Sequence, residues 1–206
     1  MKKAAFHNLG CKVNSYELDI MRQILLEEGY EEVPFHEQAD VYVINTCTVT
    51  NIADRKSRQM LHRAKKQNRE AVVIAAGCYV ETDPERVEKD DAIDLVIGNN
   101  RKSEIGTILR EYLENREKLK SGKEPEKEEE QGRQDKPFFK EDLTCSPVYE
   151  DMQLEVPGHT RAFIKIQDGC NQFCSYCIIP YARGRIRSRR PDRILQEVEE
   201  LVRGGI

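Results

Sequence analysis

The sequence has no long apolar run and no internal repeat. No stretch approaches the roughly 18–20 consecutive apolar residues that a bilayer-spanning helix needs. The opening residues MKKAAF are followed at once by polar His7 and Asn8, which is too early for the apolar core of a signal peptide. We therefore expect a cytoplasmic protein that has no membrane partner.

The sequence also lacks the basic excess that is typical of a strong nucleic-acid-binding domain. The 206 residues include 33 Lys and Arg against 37 Asp and Glu, which gives a formal net charge of −4. If RNA is a substrate, its contacts must come from local basic patches or from sequence outside this chain. The pattern predicts no particular oligomeric state.

Strand-like and helix-like segments alternate along the first hundred residues. Asn14 or Ser15 is the expected cap of the first helix, which ends at Gly29, and Asn51 is the expected cap of the second. Helices between strands predict βαβ units and a parallel, doubly wound α/β sheet. The expected strands cover residues 4–9, 41–44, 71–76 and 94–97, and a further helix covers about 102–118.

The chain divides into three parts by composition. Residues 1–113 form the expected sheet domain, and residues 114–158 are a charged linker with no apolar face to bury. Residues 159–206 begin a second α/β domain, with a strand at 161–167 and a helix from Pro191. One strand and one helix cannot bury each other's apolar faces, so this second domain is expected to be incomplete.

Seven cysteines in a reducing compartment favour metal binding or catalysis over disulfides. Cys170, Cys174 and Cys177 follow the predicted strand at C-x3-C-x2-C spacing. Three thiolates on one loop can bind three irons of a [4Fe–4S] cluster and leave the fourth iron open for chemistry. The alternative is zinc, with a remote fourth ligand such as His159 or Cys145.

Cys11, Cys47 and Cys78 each come directly after a predicted strand. The carboxyl ends of parallel strands share one edge of a sheet, where ligands bind. These thiols are therefore predicted to converge on a shared site, with Gly10 and Gly77 allowing the backbone to approach it closely. The alternative is that they are buried structural cysteines, which commonly follow strands.

Both sets of cysteines resemble those of the radical S-adenosylmethionine methylthiotransferases. The resemblance covers nearly the whole chain except the charged linker, and it is carried by two independent groups of motifs. They are residues 165–171 (KIQDGCN) and 177–184 (CIIPYARG) in the second part, and residues 9–14 (LGCKVN), 45–51 (NTCTVTN), 53–55 (ADR) and 77–79 (GCY) in the first.

The resemblance implies an enzyme with two [4Fe–4S] clusters and S-adenosylmethionine as cofactors. It assigns Cys170, Cys174 and Cys177 to the cluster that binds S-adenosylmethionine and generates a 5′-deoxyadenosyl radical. Tyr176, inside the same loop, is a candidate to pack against the adenine, although the backbone could equally do so with any side chain at this position. The remaining set binds an auxiliary cluster that carries the sulfur to be inserted. The second domain is then the start of a radical-SAM partial (β/α) barrel.

The family modifies isopentenyladenosine or threonylcarbamoyladenosine in tRNA, or an aspartate of a ribosomal protein. Residues 11–14 and 46–51 are most similar to the threonylcarbamoyladenosine group. The resemblance thus implies methylthiolation at C2 of adenosine 37 in ANN-decoding tRNA, with an electron donor such as flavodoxin or ferredoxin. The alternatives are the isopentenyladenosine enzyme and, from another class, a non-enzymatic iron–sulfur or zinc-binding module.

Several further residues have no clear role in the motifs. Cys145 lies outside both cysteine sets and is interpreted as a spectator, and none of the four histidines has ligand spacing. The run of arginines from Arg183 to Arg193 either contacts RNA phosphates or forms a solvated basic loop. The basic helix at 55–66 is interpreted as a solvated face.

Overall fold

A six-stranded parallel sheet forms the first part of the molecule. The computed structural model describes residues 1–120, 136–143, 145, 148–154 and 162–205. The order of the strands in the sheet is β2-β1-β3-β4-β5-β6, and every neighbouring pair is parallel. The strands are β1 (Lys3–Asn8), β2 (Glu31–Glu32), β3 (Val41–Thr46), β4 (Val72–Gly77), β5 (Leu95–Ile97) and β6 (Phe138–Phe139).

Helices connect these strands and cover both faces of the sheet. The chain reverses direction in the helices, so each strand can return parallel to the previous one. The helices are α1 (Lys12–Glu27), α2 (Asn51–Gln67), α3 (Cys78–Thr82), α4 (Pro84–Glu88) and α5 (Ile105–Lys120), and a 3₁₀ turn at Lys102–Glu104 precedes α5.

Alternate side chains of the strands enter two apolar cores on opposite faces. Val41 and Val43 of β3 face α1 and α5, whereas Tyr42 and Ile44 pack with α2 on the other side. Strands that are buried on both faces have nearly continuous apolar sequences, as β3 and β4 do. The predicted doubly wound α/β architecture is confirmed.

Two predicted helix caps were wrong. α1 begins at Lys12 after Cys11, which makes no side-chain cap hydrogen bond, and Asn14 lies inside the first turn, where it is buried. α2 is capped by Thr50 and not by Asn51: Thr50 Oγ1 accepts a hydrogen bond from the Ala53 N–H at 3.1 Å. A hydroxyl one residue before the first helical turn satisfies an amide that has no partner in the helix.

The charged segment contributes more to the fold than its composition predicts. α5 runs past residue 113 to Lys120, and β6 pairs with β5 as the last strand of the sheet. Lys136 donates hydrogen bonds to the carbonyl oxygens of Val87 (2.8 Å) and Asp90 (2.5 Å). Residues 121–135, the centre of the predicted linker, lie outside the described residues. The three-part division of the chain stays a prediction.

The second part contains a two-stranded antiparallel pair and two helices. The predicted strand at 161–167 was wrong in extent: only two residues pair, and Arg161 lies outside the described residues. The Ile166 carbonyl accepts the Arg189 N–H at 2.9 Å, and the Lys165 carbonyl accepts the Tyr149 hydroxyl at 3.1 Å. The elements are β7 (Gln167–Asp168), α6 (Ile179–Arg183), β8 (Arg187–Ser188) and α7 (Pro191–Arg203).

α7 packs on α1 through residues 151–154, so the two parts are in contact. Tyr16 of α1 donates its hydroxyl to Glu197 at 3.0 Å, and the Leu154 N–H donates to the same carboxylate at 3.1 Å. Arg189 pairs with Glu197 and, at 2.9 Å, with Asp151. Within the described residues, no helix has both the length and the apolar character that crossing a membrane requires.

Candidate cluster-binding site

Cys11, Cys47 and Cys78 lie at the carboxyl ends of three adjacent strands. β1, β3 and β4 are neighbours in the sheet, and their register places Asn8 beside Asn45 and Thr46 beside Gly77. Cys47 and Cys78 are buried, whereas Cys11 is exposed. The structure thus brings the three cysteines to one edge, as the sequence predicts.

Asn14 holds the loops that lead to two of these cysteines. Its Nδ2 donates to the carbonyl oxygens of Leu9 and Thr46, both at 2.8 Å, and its Oδ1 accepts a weak hydrogen bond from Cys11 Sγ at 3.7 Å. Asn45 Nδ2 in turn donates to the Asn14 carbonyl at 2.8 Å. This buried amide is therefore a structural brace of the cysteine edge, a role that sequence reasoning missed.

Gly10 and Gly77 lie where a side chain would clash with its neighbours. Gly10 has φ +112°, and a Cβ there would lie 2.9 Å from Cys47 Sγ. Gly77 has φ +96°, and its Cβ would lie 2.5 Å from Asn45 Oδ1. Positive φ and this crowding both require glycine.

The buried thiol of Cys78 lies close to cationic groups. Burial raises the pKa of Cys78, while the charges of Arg183 and Lys102 act in the opposite direction and favour the thiolate. Asn99 Nδ2 lies 3.9 Å from Cys78 Sγ and donates to the Ala182 carbonyl at 2.7 Å. The two cations offset burial only in part, so the pKa of Cys78 stays raised and the thiolate, the form that binds metal, is disfavoured.

The second cysteine set lies on a loop between β7 and α6. The Cys170 N–H donates to the Gly184 carbonyl at 3.0 Å, and the Cys177 N–H donates to the Cys174 carbonyl at 2.9 Å. Asn171 Oδ1 accepts the Ile186 N–H at 3.0 Å. These bonds anchor the start of the loop to residues 184–186, while Cys174 itself is exposed.

The middle of this loop exposes aromatic side chains. Phe173 has φ +46°, a left-handed conformation that costs a non-glycine residue about 1 kcal/mol or more. Its ring lies edge-on to Tyr181, with 6.1 Å between the ring centroids, and Arg185 lies over its other side at 5.3 Å. Tyr176 is 90% exposed, so its side chain is free to meet a ligand.

A buried ion-pair cluster joins the two parts of the molecule. Glu17 of α1, fully buried, pairs with Lys102, with Lys165 at 2.7 Å and with Arg183 at 2.8 Å. These three cations hold the pKa of Glu17 well below its usual range despite its burial. Sequence reasoning missed this cluster, although Glu17 beside Leu18 on the apolar face of α1 was a usable signal.

The carboxylate of Asp168, in the strand before the loop, belongs to the same cluster. Asp168 pairs with Arg183 at 3.0 Å and with Lys165 at 2.7 Å. Arg183, Arg187 and Arg189 are all buried in ion pairs. Neither proposed role of the arginine run, an RNA contact or a solvated loop, therefore fits these three residues, since burial beside carboxylates removes them from solvent.

The remaining candidates from the sequence are Cys145 and the histidines. Cys145 is exposed, and its N–H donates to the Asp142 carbonyl at 3.2 Å. His62 contacts Asp90 at 3.1 Å, and the His7 ring packs on Phe35. His159 lies outside the described residues. Among the described residues, no three His, Cys, Asp or Glu side chains are close enough to share one metal ion, so the cluster assignments stay predictions.

Comparison with known proteins assigns a family to each part of the chain. Residues 3–98 match the family described as "Uncharacterized protein family UPF0004", and residues 164–206 match the Radical SAM superfamily. A solved structure of the radical S-adenosylmethionine methyltransferase TsrM from Kitasatospora setae has a similar fold. It aligns with a TM-score of 0.55 and 14% identity over 100% of this chain and 46% of that one.

Curated relatives align with almost the whole chain. Threonylcarbamoyladenosine tRNA methylthiotransferase MtaB of Aquifex aeolicus is 42% identical over 98% of the chain, and that of Bacillus subtilis is 40% identical over 100%. The tRNA-2-methylthio-N(6)-dimethylallyladenosine synthase of Moorella thermoacetica is 32% identical over 96%. The chain spans 45%, 42% and 41% of the length of these relatives, respectively. The chain belongs to the radical S-adenosylmethionine methylthiotransferase family.

Proposed function

We propose that the protein to which this chain belongs inserts a methylthio group at C2 of N6-threonylcarbamoyladenosine at position 37 of tRNA. The observation that carries the proposal is the presence of two three-cysteine sets on two parts of one chain that pack together through buried ion pairs. An enzyme that needs both a radical and a sulfur donor requires two such sites close to each other.

Two [4Fe–4S] clusters and S-adenosylmethionine are the proposed cofactors. Cys170, Cys174 and Cys177 would hold one cluster, and the three strand-end cysteines (Cys11, Cys47 and Cys78) would hold the other. When bound, these groups supply the electron that cleaves S-adenosylmethionine to a carbon radical, and the sulfur that is transferred. Each set provides three thiols, which leaves one iron of each cluster open.

The chain's own contribution is to position and shield these groups. Glycine at position 10 lets the backbone pass close to Cys47, and glycine at position 77 lets it pass close to Asn45 and Thr46. Exposed Tyr176 and its neighbour Phe173 provide aromatic surface on the other loop, and we propose that Tyr176 packs against the adenine. The electron donor we propose is a flavodoxin or a ferredoxin, and the location is cytoplasmic.

The basic face of α2 is the proposed contact surface for tRNA. Arg55, Lys56, Arg63 and Lys66 are exposed, and none has an ion-pair partner among the described residues. Their spacing of one, seven and three residues places them on one side of the helix, together with exposed Ile52. In a chain of net charge −4, four unpaired cations on one face form a local patch that attracts phosphates.

The position of α2 relates this patch to the chemistry. The helix begins at Asn51, four residues after Cys47, and therefore starts at the cysteine edge of the sheet. RNA phosphates along α2 would bring an adjacent nucleotide towards the sulfur-donating site. This proposal replaces the earlier interpretation of the helix as a solvated face.

The choice of threonylcarbamoyladenosine over isopentenyladenosine rests on similarity. Two relatives named for threonylcarbamoyladenosine are 42% and 40% identical to this chain, whereas the dimethylallyladenosine synthase is 32% identical, as is a third threonylcarbamoyladenosine relative, that of Thermotoga maritima. We therefore propose ANN-decoding tRNA as the substrate and keep the isopentenyladenosine enzyme as the second candidate.

The test uses the full-length protein, reconstituted anaerobically with iron and sulfide. It is incubated with S-adenosylmethionine, reductant and tRNA that carries either threonylcarbamoyladenosine or isopentenyladenosine. The tRNA is then digested, and its nucleosides are identified by mass spectrometry. We expect the methylthio product from threonylcarbamoyladenosine tRNA and about eight irons per chain, since each of two clusters holds four. Product from isopentenyladenosine tRNA alone would favour the second candidate, and a protein without iron or product would be a non-enzymatic module.

A further inference from the structure

We propose that Arg183 is a positioning residue that fixes the radical-SAM cysteine loop relative to the strand-end cysteines. This inference rests on the proposed function only in its purpose, because the contacts that support it exist in the chain without any cofactor. Arg183 is the last residue of α6 and is buried between the two parts of the molecule.

One side of the guanidinium holds the sheet edge. Arg183 Nη2 donates to Asn14 Oδ1 at 2.7 Å. A side-chain amide has one oxygen and one NH₂ group, so a bond to the oxygen fixes the orientation of the Asn14 amide. The Asn14 NH₂ group then faces the carbonyls of Leu9 and Thr46, which directly precede the Cys11 and Cys47 loops.

The other side of the guanidinium holds the radical-SAM loop. Arg183 Nη1 donates to Asp168 Oδ1 at 3.0 Å, and the same oxygen accepts the Gly169 N–H at 2.9 Å. Cys170 follows directly. Arg183 is therefore connected to loops of both cysteine sets. The connecting residue is Asn14 for the strand-end cysteines and Asp168 for the radical-SAM loop.

The neighbours of Arg183 extend the same connection. The Ala182 carbonyl accepts a hydrogen bond from Asn99, the residue whose amide lies 3.9 Å from Cys78 Sγ. The Gly184 carbonyl accepts the Cys170 N–H at 3.0 Å. Three consecutive residues, 182–184, thus touch the supports of both cysteine sets, and the arginine is the central one.

The geometry calls for arginine and not for any cation. Arg183 reaches three acceptors on two elements: Asn14 and Glu17 of α1, and Asp168 of β7. A planar guanidinium offers several donors in fixed directions, whereas a lysine ammonium is a compact point charge on a flexible stem. Arg183→Lys therefore keeps the charge and removes the fixed arrangement.

The experiment measures hydrogen exchange by mass spectrometry on the metal-free 206-residue chain. The variants are Arg183→Lys and a matched control, Arg189→Lys. Arg189 is also a buried arginine between the two parts, but it contacts Glu197, Asp151 and Tyr16 and has no contact with Asn14 or Asp168 among the described residues.

Arg183→Lys should speed exchange about tenfold or more in peptides covering 8–12, 46–48 and 169–172 together, because it removes charged hydrogen bonds from both supports. Arg189→Lys should speed exchange at 151–154 and in α7 and leave those three segments unchanged. Equal effects of the two variants, or unchanged exchange in any of the three segments of Arg183→Lys, would overturn the proposal.

Asn14→Ser provides a second test that does not depend on how the Arg183 variant folds. It removes the acceptor on the sheet side and should speed exchange at 8–12 and 46–48 while sparing 169–172. Unchanged exchange at 8–12 and 46–48 would contradict the proposal.

In the iron-loaded full-length protein, Arg183→Lys should keep the iron content and alter the magnetic coupling between the two reduced clusters, whereas Arg189→Lys should alter neither. A protein that binds one cluster would refute the proposed function without affecting the exchange result.

Discussion

At the scale of single residues, the most consequential feature is a carboxylate surrounded by cations. Glu17 has no exposed surface and contacts Lys102, Lys165 and Arg183. Burying a charge is costly, and removing one partner of such a group leaves the others uncompensated. Glu17 is the only anion that α1 contributes to this cluster among the described residues, so its charge balances cations from both parts of the molecule.

We predict that Glu17→Gln lowers the free energy of unfolding by about 3–5 kcal/mol, the range for breaking a buried pair. Because the pKa of Glu17 is depressed in the folded chain, its contribution is fully present above the unfolded-state value near 4.5 and is lost as pH falls through the lower folded value. Urea unfolding of the metal-free chain from pH 7 downwards measures both effects.

The control for this prediction is Glu27→Gln, the same substitution in the same helix at an exposed position. It should change stability by less than about 1 kcal/mol. Equal losses for the two variants would show that the buried cluster contributes no more than a surface carboxylate.

At the scale of elements, α2 separates a structural face from a charged one. Leu61 and Ala64 are fully buried against the sheet, whereas the four cations on the opposite side have solvent around them. Nothing in the folding of α2 requires that charge, since the apolar face alone secures the helix. The same side of α2 also carries uncharged Gln59 and Ile52, and we propose phosphate binding as the role of its four cations.

We predict that Arg55→Gln/Lys56→Gln weakens binding of an anticodon stem-loop RNA and reduces the slope of log K against log salt by about one to two, because each lost phosphate contact removes about one released counterion. Fluorescence anisotropy from low to moderate salt measures the slope.

Lys2→Gln/Lys3→Gln is the matched control for the α2 prediction. It removes the same charge from the opposite edge of the sheet, where β1 begins. The salt slope of this variant should stay close to that of the unchanged chain, and an equal reduction in both variants would indicate non-specific attraction.

The sheet was predictable at this scale, and the contacts between the two parts were not. Alternating strand and helix patterns depend on local periodicity, which one sequence displays, and they gave the four longer strands and the cysteine edge. The pairing of Glu17 with Lys165 and Arg183 joins residues 148 and 166 positions apart, and no local pattern encodes it. The two-residue strand β6 is too short to produce a periodic signal at all.

At the scale of the whole molecule, the sheet part is self-contained and the second part is not. Both faces of the sheet are covered by helices of the same chain. α7, in contrast, leaves Leu195 and Val202 more than 60% exposed, at 62% and 63%. Leu201 of the same helix is buried, so the apolar face of α7 is only partly covered within the described residues, and the chain spans less than half of the relatives' length.

We predict that the 206-residue chain folds around its sheet and does not modify tRNA. A carbon radical needs a closed wall that excludes water and competing side chains. The reconstituted chain and the full-length protein are compared, each with S-adenosylmethionine, reductant and hypomodified tRNA. Circular dichroism should show a cooperative unfolding transition for the chain, and the methylthio nucleoside should form only with the full-length protein. If the 206-residue chain formed the methylthio nucleoside at a comparable rate, the rest of the barrel would be dispensable.

The contact between Asn14 and Arg183 has a consequence for synthesis on the ribosome. These residues are 169 positions apart, so at roughly 5–20 residues per second the brace of the strand-end loops is completed about 8–34 seconds after Asn14 is made. During that interval, the thiols of Cys11, Cys47 and Cys78 exist without the segment that supports their loops. Iron delivery after residue 184 has emerged would therefore meet an ordered site, whereas earlier delivery would meet an unfinished one.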